Sequence, residues 1–262
     1  PTLTAAGTVK PVFAPDSTGA NVFTITTGGT GLLIPTAHPS DRTTFETGNV
    51  ADGYMLPDAS SALFITNSGA LKKVAVGAPQ SISTLIGAYV RGLLGVSGDN
   101  KKVLFHRQDF DPDTMLSDIN VLDHTAMPLT PSAVVPTRTA LPIGFTGSSS
   151  HVVFLDNITE NGGVLKSRPT GGGATKDLVA SVGALTVGTG SGVVYLANPA
   201  QVGSIEDGFT VVELGYVDAA TGSKGEMFAD SVPEGEFALK GKRLVYSRFA
   251  SQGSGIWATT LP

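Results

Sequence analysis

The chain has 262 residues, a formal net charge of −5 and no cysteine. The lack of cysteine excludes disulfides, thiolate metal sites and a cysteine nucleophile. The 17 lysines and arginines are scattered, which argues against a nucleic-acid surface. No apolar run reaches the roughly 20 residues that a transmembrane helix needs. With 33 glycines, 16 prolines and a charged fraction of only 15%, the composition indicates many short strands and tight turns.

Short apolar runs that end in an aromatic residue recur along the chain. The aromatic residues are Phe23, Phe64, Phe105, Phe154, Tyr195 and Tyr246, with spacings of 41, 41, 49, 41 and 51 residues. A period of about 40 to 50 residues with strand content is typical of a β-propeller blade built from four antiparallel strands. The period therefore predicts an all-β, six-bladed β-propeller.

Turn-forming residues precede each aromatic run, and a further apolar stretch follows it. The turns, rich in Pro, Asp, Asn, Gly and Ser, predict hairpins in which the aromatic run is the second strand. The predicted third strands are Gly31–Ile34, Leu71–Val76, Ile119–Leu122, Gly163–Lys166, Phe209–Leu214 and Gly255–Thr259. Weaker fourth strands are expected, for example at Met127–Thr130 and Asp177–Val179. His151 is expected at a hairpin turn.

The repeat covers nearly the whole chain and predicts a single domain, 1–262. Its blades are expected at about 11–52, 53–91, 92–139, 140–181, 182–234 and 235–262, the last completed by residues 1–10. The sixth repeat stops at Pro262 after its third strand. We expect Thr2–Ala5 to supply the missing strand, which would close the ring and remove an open sheet edge.

One repeat carries a resemblance to a known family. The stretch Val96-Ser97-Gly98-Asp99-Asn100-Lys101-Lys102-Val103-Leu104-Phe105 resembles the WD40-like repeat of TolB-type propellers, and Ala14-Pro15-Asp16 keeps the Pro-Asp pair of that repeat. The resemblance implies a propeller fold. Its relatives act as protein-binding scaffolds, as propeller caps on peptidases, or as binders of sugars and small molecules, so it does not select one function.

Candidate site residues follow the aromatic strands, in loops that a rigid scaffold would display. The long loops are expected at 106–118, 196–208 and 247–254, with an intermediate one at 155–162. His106, Arg107 and Arg248 directly follow aromatic strands and could hold an anionic group, and Phe110 is a candidate contact in the longest loop. The same loop contains alternating carboxylates that could hold calcium. These candidate metal ligands are Asp109, Asp111, Asp113 and Asp118.

Three functional hypotheses remain open. The Gly-x-Ser-x-Gly, phosphate-loop and His-Glu-x-x-His motifs are absent, which favours a noncatalytic propeller that binds a protein partner or a surface ligand through its loop-rich face. A calcium-dependent hydrolase or lyase at the mouth of a central channel is the first alternative. Its oxygen ligands would come from Asp109, Asp111, Asp113, Asp156, Asn157, Asn198, Glu206 and Asp207. The second alternative is a propeller fragment or cap of a larger protein or complex.

The first residue, Pro1, and the charge-poor surface favour an extracytoplasmic bacterial location.

Overall fold

The computed structural model describes residues 9–15, 18–107, 116–159, 162–187, 190–202, 209–223, 229–233, 237–248 and 254–261. The chain divides into two compact units. The first holds residues 1–96, 100–112 and 118–133, and the second holds 97–99, 113–117 and 134–262. Over the described ranges the chain is all-β apart from one short 3-10 helix, Pro39–Asp41, and no helix there is long and apolar enough to cross a membrane.

The first unit contains two four-stranded antiparallel sheets and the strands β9 to β11. In chain order its strands are β1 (Val9–Pro15), β2 (Asn21–Thr26), β3 (Gly31–Pro35), β4 (Thr43–Glu46), β5 (Val50–Met55), β6 (Ser61–Thr66), β7 (Leu71–Ala75), β8 (Ala78–Ile86), β9 (Gly92–Val96), β10 (Lys102–His106) and β11 (Ser117–Asp123). β1 to β4 form one sheet and β5 to β8 another, each with its strands in sequence order. β10 pairs with both β9 and β11.

The second unit is also an antiparallel meander. Its strands are β12 (Ser132–Phe145), β13 (His151–Thr159), β14 (Gly162–Pro169), β15 (Lys176–Val187), β16 (Gly192–Val202), β17 (Phe209–Asp218), β18 (Ala229–Pro233), β19 (Phe237–Lys240), β20 (Arg243–Arg248) and β21 (Gly255–Thr260). β12 to β18 pair consecutively, and β19, β20 and β21 form a separate three-stranded sheet.

The predicted hairpins are confirmed. All six aromatic runs are strands (β2, β6, β10, β13, β16 and β20), and each pairs with the strand before it and the strand after it. The six predicted third strands lie within or overlap β3, β7, β11, β14, β17 and β21. Local sequence determines these elements because turn-forming residues lie at a nearly constant distance before each aromatic run. The turn fixes the pairing register of the short strands on either side of it.

One backbone hydrogen bond recurs in all six hairpin repeats of the described chain. The residue just after the third strand, or at its end, donates its N–H to the carbonyl of the residue just before the aromatic strand. The pairs are Thr36 to Ala20, Val76 to Ser60, His124 to Lys101, Thr170 to Ser150, Ala219 to Ser191 and Leu261 to Lys242, with N to O distances of 2.7–3.0 Å. The repeat seen in the sequence is therefore matched by a repeated backbone hydrogen bond.

Both faces of the central sheet in the first unit are buried. Side chains alternate along β6, so Phe64 packs with Phe23 and Phe45 on one face, and Leu63 packs with Phe105 on the other. The Phe45 ring lies 5.0 Å from the Phe64 ring, centroid to centroid. Burying one such aromatic side chain contributes about 1.5–3 kcal/mol. The aromatic strand ends are thus the sheet-to-sheet contacts of this unit.

Two glycine turns connect neighbouring sheets of the first unit. Gly29 and Gly69 have φ values of 75° and 80°, a left-handed conformation that glycine adopts at low cost. The Gly29 carbonyl accepts the N–H of Val50 at 2.8 Å, and the Gly69 carbonyl accepts that of Val90 at 2.9 Å. A Cβ atom at Gly69 would lie 3.0 Å from the Val90 oxygen, so the close backbone approach also requires glycine there.

Two predictions of loop and strand position are wrong. Residues 127–130 are not in a strand, and pairing begins again at Ser132. Much of the predicted loops 155–162 and 196–208 is strand, because β13 runs to Thr159 and β16 to Val202. Both strands continue past a bulge at an asparagine with positive φ, Asn157 (51°) and Asn198 (52°). Asparagine tolerates this conformation, which lets pairing resume after the bulge.

Candidate functional site

The structure describes four of the eight sequence-predicted site residues. His106, Arg107 and Asp118 lie at adjoining ends of β10 and β11 in the first unit, and Arg248 ends β20 in the second. The other four, Phe110, Asp109, Asp111 and Asp113, belong to residues 108–115, outside the described residues. Their roles in ligand or calcium binding stay predictions.

The strand register decides which of the predicted residues face each other. Phe105 pairs with Asn120, and β10 and β11 pair without a bulge. Because side chains alternate between faces, Arg107, Asp118 and Asn120 share the face of Phe105, and His106 points to the opposite face. The structure therefore brings Arg107 and Asp118 together and separates both from His106.

Asp118 anchors this strand end. Its side chain is 3% exposed, and its two carboxylate oxygens accept the backbone N–H of Arg107 at 3.2 and 3.1 Å. Oδ2 also accepts the side-chain amide N–H of Asn120 at 2.7 Å. A buried carboxylate is stable only when it is hydrogen-bonded in this way. Asp118 therefore fixes the backbone at Arg107, directly after β10.

Arg107 presents a fixed positive charge beside that anchor. The residue is exposed, and its guanidinium carbon lies 5.7 Å from the centroid of the buried Phe105 ring. A cation over an aromatic face at an exposed position contributes about 0.5–1 kcal/mol. A guanidinium can bind a carboxylate through two parallel hydrogen bonds. The geometry suits recognition of an acidic group.

The His106 side chain is buried and packs closely against β9. The residue is 7% exposed, and its carbonyl accepts the N–H of Arg91 at 2.8 Å. A Cβ atom at Gly92, the paired residue on β9, would lie 2.2 Å from His106 Nε2. The ring therefore occupies the space that the missing side chain of Gly92 leaves. His106 is therefore largely buried at the end of β10, and its role in ligand binding stays a prediction.

Two residues near this strand end were not predicted from the sequence. Asn120 holds Asp118, and a polar residue between Ile119 and Val121 in an otherwise apolar run could have indicated it. Asp52 on β5 accepts the N–H of Leu93 at 3.2 Å and thereby ties β5 to β9. Nothing in the sequence indicates this contact, because 41 residues separate the two partners.

Two of the residues proposed as ligands in the second unit, Asp156 and Asn198, have side-chain partners in the protein. Asp156 forms an ion pair with Lys166 at 2.9 Å, and this hydrogen bond raises the pKa of Lys166. The Asn198 side-chain amide donates to Glu213 at 2.5 Å. Glu206 and Asp207 lie outside the described residues. Over the part of the chain that the structure describes, no three His, Asp or Glu side chains are grouped as metal ligands would be.

Comparison with known proteins identifies a fold but no family. No protein-family profile matches the sequence, and no curated protein matches it. Among solved structures, oligogalacturonate lyase from Vibrio parahaemolyticus is 12% identical with a TM-score of 0.59, and the match covers 98% of this chain and 77% of the lyase. Prolyl oligopeptidase B from Galerina marginata is 12% identical with a TM-score of 0.59, over 98% of this chain and 40% of that protein.

A third solved structure matches with a lower TM-score. A TolB protein from Agrobacterium tumefaciens is 12% identical over 87% of this chain and 83% of its own, with a TM-score of 0.49. The two matches with a TM-score of 0.59 show a shared fold, and at 12% identity they show nothing about activity. The chain is an all-β protein of many antiparallel strands whose fold matches that of propeller-containing proteins.

Proposed function

We propose that this chain is a noncatalytic, TolB-like β-propeller of six blades that binds an acidic group of a protein partner or surface ligand through the loop-rich face around Arg107. Six hairpin repeats with one recurrent hydrogen bond support the blade number. Phe110, in the loop predicted after Arg107, and Arg248, at the equivalent end of another aromatic strand, are candidate further contacts.

The N-terminal segment would close the ring by pairing with β21. Ile256 on this strand is 81% exposed, and Trp257 is 37% exposed. An apolar strand edge of this kind favours pairing with another strand. Residues 2–5, outside the described residues, alternate polar and apolar side chains, a pattern typical of a strand. Closure of this kind would make the six repeats one continuous domain.

The observation that supports the binding proposal is how the backbone and the side chain of Arg107 are held. Its backbone N–H is bonded to a buried carboxylate and its guanidinium lies over a buried ring, yet the residue is exposed. A side chain held before its ligand arrives loses little conformational freedom on binding. Asp118, which the calcium alternative would require as a ligand, already accepts hydrogen bonds from Arg107 and Asn120. This arrangement supports a binding surface over a metal centre.

The test is binding of a fluorescent glutamate-rich peptide followed by anisotropy. Wild type, Arg107→Ala and Arg42→Ala are compared, since Arg42 is an exposed arginine of the same unit outside the proposed site. A hydrogen bond to a charged group contributes about 1.5–3 kcal/mol, so Arg107→Ala should weaken binding about tenfold or more. Arg42→Ala should bind like wild type. Equal loss in both variants, or cleavage of the peptide, would contradict the proposal.

A further inference from the structure

A serine-rich turn in the second unit connects β12 to β13. Its backbone is closed by two hydrogen bonds, from Thr146 N to the His151 oxygen at 2.9 Å and from Ser149 N to the Thr146 oxygen at 2.8 Å. The N–H of Ser148 donates to the Gly190 oxygen at 2.7 Å, which ties this turn to the next one. Hydrogen bonds within the turn and one to the neighbouring turn therefore hold its backbone in place.

Four side chains at this turn form a continuous chain of hydrogen bonds. Ser150 Oγ lies 2.9 Å from His151 Nδ1, and Ser148 Oγ lies 2.7 Å from Ser150 Oγ. Thr146 Oγ1 follows at 3.3 Å from Ser148 Oγ. Ser148 and Ser150 are both exposed, so a molecule in solution can reach the hydroxyl that contacts the imidazole.

The surroundings of His151 favour its neutral form. Partial burial, and then the charge of the Lys176 ammonium, lower the pKa of His151, and the Asp218 carboxylate only partly opposes this effect. The Asp218 carboxylate is itself engaged by the Ser191 hydroxyl and by the Ala220 and Thr221 N–H groups. A neutral imidazole has one nitrogen that can accept a proton. At neutral pH, Nδ1 can accept the proton of Ser150.

We propose that Ser150 is a nucleophilic serine, activated by His151, that accepts the acyl or phosphonyl group of an activated donor. A hydroxyl next to a positioned base is the minimal unit of nucleophilic catalysis. With a phosphonofluoridate, Ser150 Oγ attacks phosphorus, an O–P bond forms, the P–F bond breaks and fluoride leaves. Nδ1 of His151 takes the hydroxyl proton and releases it to water. Ser148 Oγ, 2.7 Å from Ser150 Oγ, orients the attacking hydroxyl through a hydrogen bond.

This inference does not depend on the binding proposal. It rests on residues of β12, β13 and the turn between them, whereas the proposed binding surface is built on β10 and β11. A serine that reacts covalently would be an additional property of the chain, with small activated esters and phosphonates as its reactive partners. Either proposal can fail while the other holds.

The experiment is labelling of the intact folded chain with a fluorophosphonate, with the modified residue located by tandem mass spectrometry. Ser40 is the internal control, because it is exposed and its hydroxyl contacts the Asp41 carboxylate instead of an imidazole. The adduct is expected on Ser150, with the labelling rate rising as His151 loses its proton and levelling off above that pH. Urea-unfolded protein should label at the background rate.

Two variants separate activation from simple exposure. His151→Gln keeps a polar group but cannot take up the proton, and general-base assistance is typically about 100-fold or more, so labelling should fall by about that factor. Ser148→Ala should slow labelling severalfold. The melting temperature of each variant checks that it is folded. Equal labelling of Ser40 and Ser150, or a wild-type rate that does not change with pH, would overturn the proposal.

Discussion

Replacement of Asp118 tests whether this residue is an anchor or an available ligand. Asp118→Ala removes the acceptor of both the Arg107 N–H and the Asn120 side-chain amide, at a position that is 3% exposed. Each hydrogen bond to a charged group contributes about 1.5–3 kcal/mol, so the free energy of unfolding should fall by about 3–5 kcal/mol. Asp118→Asn keeps one oxygen acceptor and should lose about half of that.

Urea unfolding monitored by the fluorescence of Trp257 and by circular dichroism measures this loss. Asp41→Ala is the control, because Asp41 is exposed and its replacement should change stability by less than about 0.5 kcal/mol. If Asp118→Ala stays within about 1 kcal/mol of wild type, Asp118 is not an anchor. The argument that Arg107 is held rigidly would then fail as well.

Three further predictions concern packing, pH and closure. Gly53→Ala places a Cβ 2.2 Å from the Phe23 ring and should cost about 1–3 kcal/mol, whereas Gly77→Ala, with no atom within 4 Å, should be near neutral in the same urea assay. Burial lowers the pKa of His124 below 6.5, so the folded state binds fewer protons than the unfolded state. The free energy of unfolding should therefore fall as the pH drops below about 6.5, and His124→Gln should weaken that dependence. Deletion of residues 1–8 should lower the melting temperature and speed amide exchange in β21; unchanged exchange would contradict ring closure.

Most of the strand pattern could be predicted from the sequence because it is local. The run Val103-Leu104-Phe105 lies between a Gly-Asp-Asn turn and a polar loop, and such a run buries its apolar side chains only as a strand. The bulges at Asn157 and Asn198 were not predicted. Asparagine is as common in loops as in bulged strands, so these residues were assigned to loops.

The candidate site was predicted in part, for a reason that concerns register. His106, Arg107 and Asp118 were identified because they flank the longest loop. Which of them face each other depends on the pairing of Phe105 with Asn120, which links two strands across that loop. A shift of one residue would have exchanged the faces of His106 and Arg107. The packing of His106 over Gly92 likewise depends on the pairing of β9 with β10.

The most direct test of the central claim is a thermal melt of wild type and Arg107→Ala with calcium or with a glutamate-rich peptide. A ligand that binds only the folded state stabilises it by about 2.7 kcal/mol at one hundred times its dissociation constant. We predict that the peptide raises the wild-type melting temperature, that Arg107→Ala loses this rise, and that millimolar calcium has no effect. A rise with calcium, together with no response to the peptide, would contradict the binding proposal and favour the metal-dependent alternative.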